Sequence, residues 1–204
     1  YDAYKHCFAI PEFRAIIMRR TFAELERNHL DKAKSECIRI NNYFGKEVVR
    51  FKSDPPEVTF LNHEDGFESK IIFGHCQNPG DEEKYLGDEY QAFYPDEMAT
   101  FLQKQITGVQ GRLRSTNRQI LPRVAGTSNP GGAQTLWLKD FYIDKLVDKI
   151  REENPRYNPA HYLFIQAMLY DNPYYMDPDG TYTLYENRLF AYDSERRRQL
   201  LLGD

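Results

Sequence analysis

An apolar, aromatic run climbs to two adjacent carboxylates, Asp96 and Glu97, within the stretch YQAFYPDEMATFLQKQITGVQGRLR at 90–114. Carboxylates at the tip of a hydrophobic strand suit phosphoanhydride hydrolysis. The first sits near a magnesium ion, usually through water, because magnesium keeps much of its hydration shell. The second orients or deprotonates the attacking water. The competing reading is a solvated acidic pair, with Asp96 capping the helix-patterned segment that follows. Asp-Glu is a common dipeptide, and the chain repeats it at Asp81-Glu82 and Asp88-Glu89. The strand-then-helix context is what distinguishes Asp96-Glu97.

A second strand-like run ends in Thr127, Ser128 and Asn129, three small polar side chains placed to contact a terminal phosphate and relay its presence. An ordinary strand-to-loop turn uses the same residue types. Arg112 and Arg114 would complement phosphate charge in the same crevice or in a neighbouring subunit; solvent exposure with weak pairing is the plainer alternative. Arg196-Arg197-Arg198 reads as one solvated helix face. The five histidines show no metal-ligand spacing. No serine or cysteine carries a local nucleophile signature such as GxSxG.

These tips need elements to hold them. Residues 13–20 read as a buried strand centred on Ile16, Ile17 and Met18. Thr21 and Glu24 form a capping box, and Phe22, Leu25, Ala33, Cys37, Ile40 and Phe44 then fall on one helical arc. EVVRFKSDPPEVTFLN has the pattern of a hairpin turning at Asp54-Pro55-Pro56. SKIIFGHC is a further short strand. Residues 78–89 are acidic and turn-like. After the YQAFYP strand, Met98, Phe101, Leu102, Ile106, Val109 and Leu113 share one stripe of a helix. Residues 120–126 and 162–169 read as strands, and 181–203 as two short helices split near Asp193-Ser194. Short continuous apolar strands alternating with helices indicate an α/β fold, with a mostly parallel sheet flanked by helices on both faces. In such sheets the ligand crevice lies at the carboxyl ends of the strands. Asp96-Glu97 and Thr127-Ser128-Asn129 both sit at such ends.

Composition narrows the class. The chain has 204 residues, 41% of them hydrophobic, enough for one domain with a real core. A net charge of -4 does not indicate nucleic-acid binding across the whole surface. Three cysteines without a CxxC suggest neither a disulfide framework nor a zinc site, and fit a reducing compartment. No apolar stretch approaches the ~18 residues that a membrane span needs. The chain opens at Tyr1, mid-pattern, with Tyr4, Phe8 and Ile10 closing an amphipathic helix, so it reads as a fragment. The stretch at 151–161 is linker-like but short, so a single domain over 1–204 is expected.

Taken in order, these stretches resemble the ATPase domain of the large terminase subunit of tailed bacteriophages. AIIMRRTFAEL looks like the strand and helix that follow that family's phosphate-binding loop. YLGDEYQAFYPDEMATF looks like its Walker B strand, and GVQGRLRS like the helix end that follows. VAGTSNPGGAQTLWLKDFYI, with Trp137 and Phe141, resembles the coupling motif. DNPYYMDPDGTYTLYENRL and RRRQLLLGD resemble the closing segment. The resemblance covers nearly the whole chain.

The resemblance implies a P-loop NTPase fold of the ASCE, RecA-like type, present here without its N-terminal phosphate-loop unit and without the nuclease domain. It implies ATP and Mg2+ as cofactors, Asp96 as the Walker B aspartate near magnesium, and Glu97 as the catalytic glutamate. Thr127, Ser128 and Asn129 would belong to the coupling motif. The implied partners are double-stranded DNA, a small terminase subunit, a portal protein and further copies in a ring, with no membrane, in the cytoplasm of an infected bacterial host. Two departures stand out. No GxxxxGK[ST] loop occurs in the chain, so this stretch alone is expected to hydrolyse ATP slowly or not at all. Pro95 stands immediately before Asp96, where a proline removes a ladder donor. Another nucleic-acid translocase, helicase-like in type, or an inert interaction module of the same fold are the alternative readings.

Overall fold

A computed structural model describes residues 1–202 except Asp65 and Gln119. The chain divides after Ser128 into two compact units, 1–128 and 129–204.

The first unit is built on a six-stranded sheet in the order β2-β3-β4-β1-β5-β6. β1 (Arg14–Arg19) is central, with β4 (Ser69–His75) on one side and β5 (Ala92–Pro95) on the other, both parallel to it. β6 (Arg123–Val124) continues the parallel set beside β5. The antiparallel hairpin β2 (Val49–Ser53) and β3 (Pro56–Phe60) closes the other edge beside β4. The mostly parallel sheet expected from the apolar runs is present. The hairpin is antiparallel because its two-residue connection is too short for the crossover that parallel neighbours require.

Alternation sorts the strand residues onto two faces. Ala15, Ile71, Phe73 and Ala92 join Val49, Val58 and Phe60 in a core cluster. That cluster also takes in Ala3 and Cys7 of α1 (Asp2–Ala9) and Ala33 and Cys37 of α3 (Asp31–Phe44). Ile16 and Phe93, partners in register, point the other way and are also buried. Phe101, Ile106 and Val109, between β5 and β6, are buried too.

Three expected elements differ. The helix after β1 is not uniform. α2 (Phe22–Leu25), started by the Thr21–Glu24 capping box, runs into a π-helical turn at Glu26–Leu30 and then into α3. Phe22 and Phe44, at its two ends, are exposed. The segment after β5 is not one helix either. A 3-10 turn at Met98–Thr100 is followed by extended backbone at Phe101 and Leu102, and α4 spans only Gln103–Gln110. Gln105, almost fully buried, closes that break: its Oε1 accepts the Leu102 N–H at 3.0 Å and its Nε2 donates to the Asn78 carbonyl at 2.7 Å. Third, residues 162–168 form no strand. A strand needs a neighbour to satisfy its backbone groups. Among the described residues 129–202 there is no strand for it to pair with.

The second unit is held by aromatic packing. Tyr157 is buried, and its hydroxyl donates to the Phe141 carbonyl at 2.6 Å. Its ring packs against Phe141 and Tyr162 at 4.9 and 5.0 Å, and Trp137 and Tyr142 pack on Phe141 in turn, at 5.6 and 5.0 Å. Helices α7 (Thr183–Leu189) and α8 (Ser194–Leu202) follow, divided where Asp193-Ser194 predicted.

Candidate active site

β1, β4, β5 and β6 run in parallel, so their carboxyl ends share one edge. Past the end of β5, Asp96 donates its N–H to the Met18 carbonyl at 2.8 Å, carrying the ladder one step beyond the strand. Glu97 then takes left-handed backbone angles, φ 57 and ψ 53. That conformation is uncommon for a non-glycine residue and turns the chain sharply. Sharp turns that hold side chains at a strand tip recur at functional sites.

The chain after β6 straps this turn. Arg123, Ala125 and Thr127 donate their N–H groups to Gln91, Phe93 and Pro95 at 3.1, 3.0 and 3.1 Å. The ladder therefore extends well past the two residues of β6 proper. Met98 N–H returns a bond to the Thr127 carbonyl at 2.7 Å, and Ala99 N–H donates to Ser128 Oγ at 3.1 Å. Pro95 is tolerated because its carbonyl faces β6. In an extended strand the N–H of a residue points to the same side, so the missing donor faces the short edge strand. The ladder to β1 stays intact. Gly126 lets the two segments close up: a Cβ there would stand 3.2 Å from the Pro95 carbonyl oxygen and 2.9 Å from Met98 Sδ.

Asp96 is the hub of this edge. His29 Nε2 donates to its Oδ2 at 2.8 Å, and the Thr127 hydroxyl donates to Oδ1. Arg19 Nε lies 2.9 Å from Oδ2, and Arg19 Nη1 lies 3.9 Å from Glu97 Oε1. The Arg19 Nε–H is not aimed at the carboxylate, so that contact is a charge pair rather than a hydrogen bond. The carboxylate is therefore no N-cap: it points at side chains from two other segments, not at the backbone of the turn that follows. Its pKa is held down at about 2, first by the His29 bond, against the effect of burial, and then by the Thr127 hydroxyl and the Arg19 charge.

A depressed carboxyl pKa contributes stability that is complete above the unfolded value and is lost as pH falls through the folded one. For Asp96 the window runs from 3.8 down to about 2. The shift corresponds to roughly 2 kcal/mol. Denaturant unfolding followed from pH 5 to about 2 should lose that much more stability in the parent than in Asp96→Asn. Parallel curves for the two proteins would contradict the arrangement.

Among the described residues no three His, Cys, Asp or Glu side chains converge to hold a metal ion. The donors present do fit magnesium held mainly by water and phosphate oxygens. A carboxylate has about four acceptor positions, and Asp96 Oδ1 keeps one beyond that taken by Thr127. Asp96 is the residue that would hold such an ion, through water.

The other expected site residues divide. Thr127 and Ser128 reach the same edge as Asp96 and Glu97. Asn129 is the first residue of the second unit. Arg112 and Arg114 do not share the crevice. Tyr90 N–H donates to the Arg112 carbonyl and Arg114 N–H to the Tyr90 carbonyl, which fixes both at the amino end of β5. Six steps of extended chain, about 20 Å, separate Tyr90 from Asp96. Their guanidinium groups engage the Leu86 carbonyl and Glu89, at 3.2 and 2.8 Å. The α4 segment returns the chain to the amino edge, as a parallel crossover must. Arg19 and His29 were not anticipated. For Arg19 a signal existed: it is the last residue of β1, followed at once by Arg20, at the edge where ligands bind.

An α/β domain that gathers a carboxylate pair and a small polar loop at the carboxyl edge of adjacent parallel strands is the setting in which the comparisons fall. Residues 1–204 match the family described as terminase large subunit, T4likevirus-type, N-terminal, and the chain belongs to that family. No curated protein matches the chain. Among solved structures, the large terminase of a thermophilic bacteriophage superposes with a TM-score of 0.68 at 17% identity, over 100% of this chain and 43% of that one. The same terminase in complex with ATP-gamma-S gives 0.67 at 16% identity, over 100% and 42%. The large terminase ATPase domain of Thermus phage P74-26 gives 0.66 at 16% identity, over 98% and 79%. At these identities the likeness is one of fold. The chain spans 43% of the first of these terminases. No helix among the described residues is long and apolar enough to cross a membrane.

Proposed function

We propose that in the complete protein this chain is the ATP-hydrolysing motor domain of a phage terminase large subunit, driving viral DNA into procapsids. The observation that carries the reading is the Asp96 carboxylate bonded to Thr127 across adjacent parallel strands, with Glu97 turned out beside it. Asp96 would hold magnesium through water. When bound, the ion neutralises phosphate charge. Glu97 orients and deprotonates the attacking water. Thr127 and Ser128, with Asn129 following, pass the state of the phosphate to the part that moves DNA. The relatives support this in kind: the thermophilic bacteriophage terminase has been solved in complex with ADP and with ATP-gamma-S. Double-stranded DNA, a small terminase subunit, a portal protein and further copies in a ring are the partners this role requires, in the cytoplasm of an infected bacterium. Arg112 or Arg114, at the opposite edge of the sheet, would serve such a site only across a subunit boundary.

The reading is tested by Asp96→Asn in the complete protein. Removing the charge should weaken magnesium-dependent nucleotide binding by about tenfold, roughly 1.4 kcal/mol, and leave binding in EDTA unchanged. Nucleotide titrations with and without magnesium measure both. An unchanged magnesium effect would remove Asp96 from the site.

A further inference from the structure

We propose that His29 is a positioning residue for Asp96, brought to it by the π-helical turn at Glu26–Leu30 and holding Oδ2 so that Oδ1 faces Thr127 and the nucleotide side of the edge. The inference rests on the reading of Asp96 as the carboxylate nearest magnesium.

The local sequence accounts for the turn. Leu25 and Leu30 are both buried, as are Ala33 and Cys37 beyond them. Leu30 follows Leu25 by five positions, and in a regular α-helix that spacing would turn Leu30 about 140° away from Leu25. A regular helix would instead set position 29 on the core stripe, one turn after Leu25 and one before Ala33. The single wider turn, closed by the Asp31 N–H on the Glu26 carbonyl, absorbs the extra residue. It returns Leu30 to the core and swings His29 out of it. His29 is then 24% exposed, with its Nε2 on Asp96 at 2.8 Å. Wider turns of this kind inside α-helices are often found at functional sites.

The contact also has a consequence for orientation. A carboxylate accepts but does not donate, so the Nε2 must carry the hydrogen. With that donor on Oδ2, and the Arg19 charge beside it, the carboxylate cannot rotate without breaking a bond. The oxygen not held by His29 is therefore kept facing the Thr127 hydroxyl. Thr127 bonds one oxygen of Asp96 and His29 of the β1–α3 connection the other, so a single carboxylate ties the two segments.

The test uses the complete protein with His29→Ala and His29→Gln, the second keeping an N–H donor. A fluorescent adenine nucleotide is titrated in magnesium chloride and in EDTA, and thermal midpoints are measured alongside. His29→Ala should lower affinity in magnesium by about tenfold, the scale of one hydrogen bond to a charged group. Affinity in EDTA should stay parental, and His29→Gln should recover most of the loss. Parental affinity of His29→Ala in magnesium, while Asp96→Asn is impaired, overturns the role of His29 and leaves the reading of Asp96 standing. Equal losses in magnesium and EDTA, with a lowered thermal midpoint and no recovery by glutamine, overturn it in favour of a purely structural contact. An unimpaired Asp96→Asn fails the reading of Asp96 itself, and the role of His29 with it.

Discussion

Glu97→Gln in the complete protein is expected to keep nucleotide binding and to lower hydrolysis by about 10²–10⁴-fold, the usual cost of removing a general base. The amide is nearly isosteric with the carboxylate but does not accept a proton at neutral pH. The backbone reasons for expecting an otherwise intact site are specific. The left-handed turn at Glu97 is held by main-chain groups and by Thr100: its carbonyl accepts the Thr100 N–H at 2.9 Å and the Thr100 hydroxyl at 2.7 Å. Its N–H faces Thr127 Oγ1 at 3.4 Å. These contacts do not use the carboxylate, so exchanging it leaves the strand tip in place. Arg19 Nη1, 3.9 Å from Oε1, loses a charge partner but keeps Asp96. Phosphate release and nucleotide affinity, measured on the same preparation, separate the two effects. Hydrolysis at the parental rate would assign the water-activating role elsewhere.

Much of this edge was legible in the sequence because its determinants are local. The apolar run Ile16-Ile17-Met18 needed only its own hydrophobicity to announce β1, and the Thr21–Glu24 capping box is complete within four residues. The hairpin at 49–60 follows from its turn residues. What escaped depends on register. His29 and Asp96 lie 67 residues apart, and nothing local to either announces the bond. Arg19 meets Asp96 because Met18 pairs with Pro95 across two parallel strands. The π-helical turn was hidden because an i, i+3, i+4 template passes over the Leu25–Leu30 spacing. Arg112 and Arg114 misled through nearness in sequence: they follow the carboxylates by a crossover that carries them to the far edge. YLFIQAML misled differently. Apolar β-branched and aromatic residues describe what a strand would be made of, and Leu163 and Ile165 are 78% and 76% exposed without a sheet to join.

Thr127→Val is expected to reduce DNA-stimulated hydrolysis about tenfold in the complete motor, at a cost to fold stability of about 1.5 kcal/mol at most, and Thr127→Ser should restore both. Valine matches threonine in shape and removes only the hydroxyl. The main-chain strap survives, since the Thr127 N–H still reaches the Pro95 carbonyl at 3.1 Å and its own carbonyl still accepts from Met98 at 2.7 Å. What disappears is the Thr127 hydroxyl's bond to the Asp96 carboxylate. Hydrogen bonds to charged groups contribute about 1.5–3 kcal/mol where both partners are shielded. Thr127 is exposed, so water takes over part of that contact, and the lower end applies. Because the link joins the tip of β5 to the segment leading into the second unit, its loss should fall on stimulation by DNA more than on basal turnover. Steady-state phosphate release with and without DNA decides the matter. If valine and serine variants respond to DNA equally, the hydroxyl does not transmit the state of the site, and the strap alone carries any coupling.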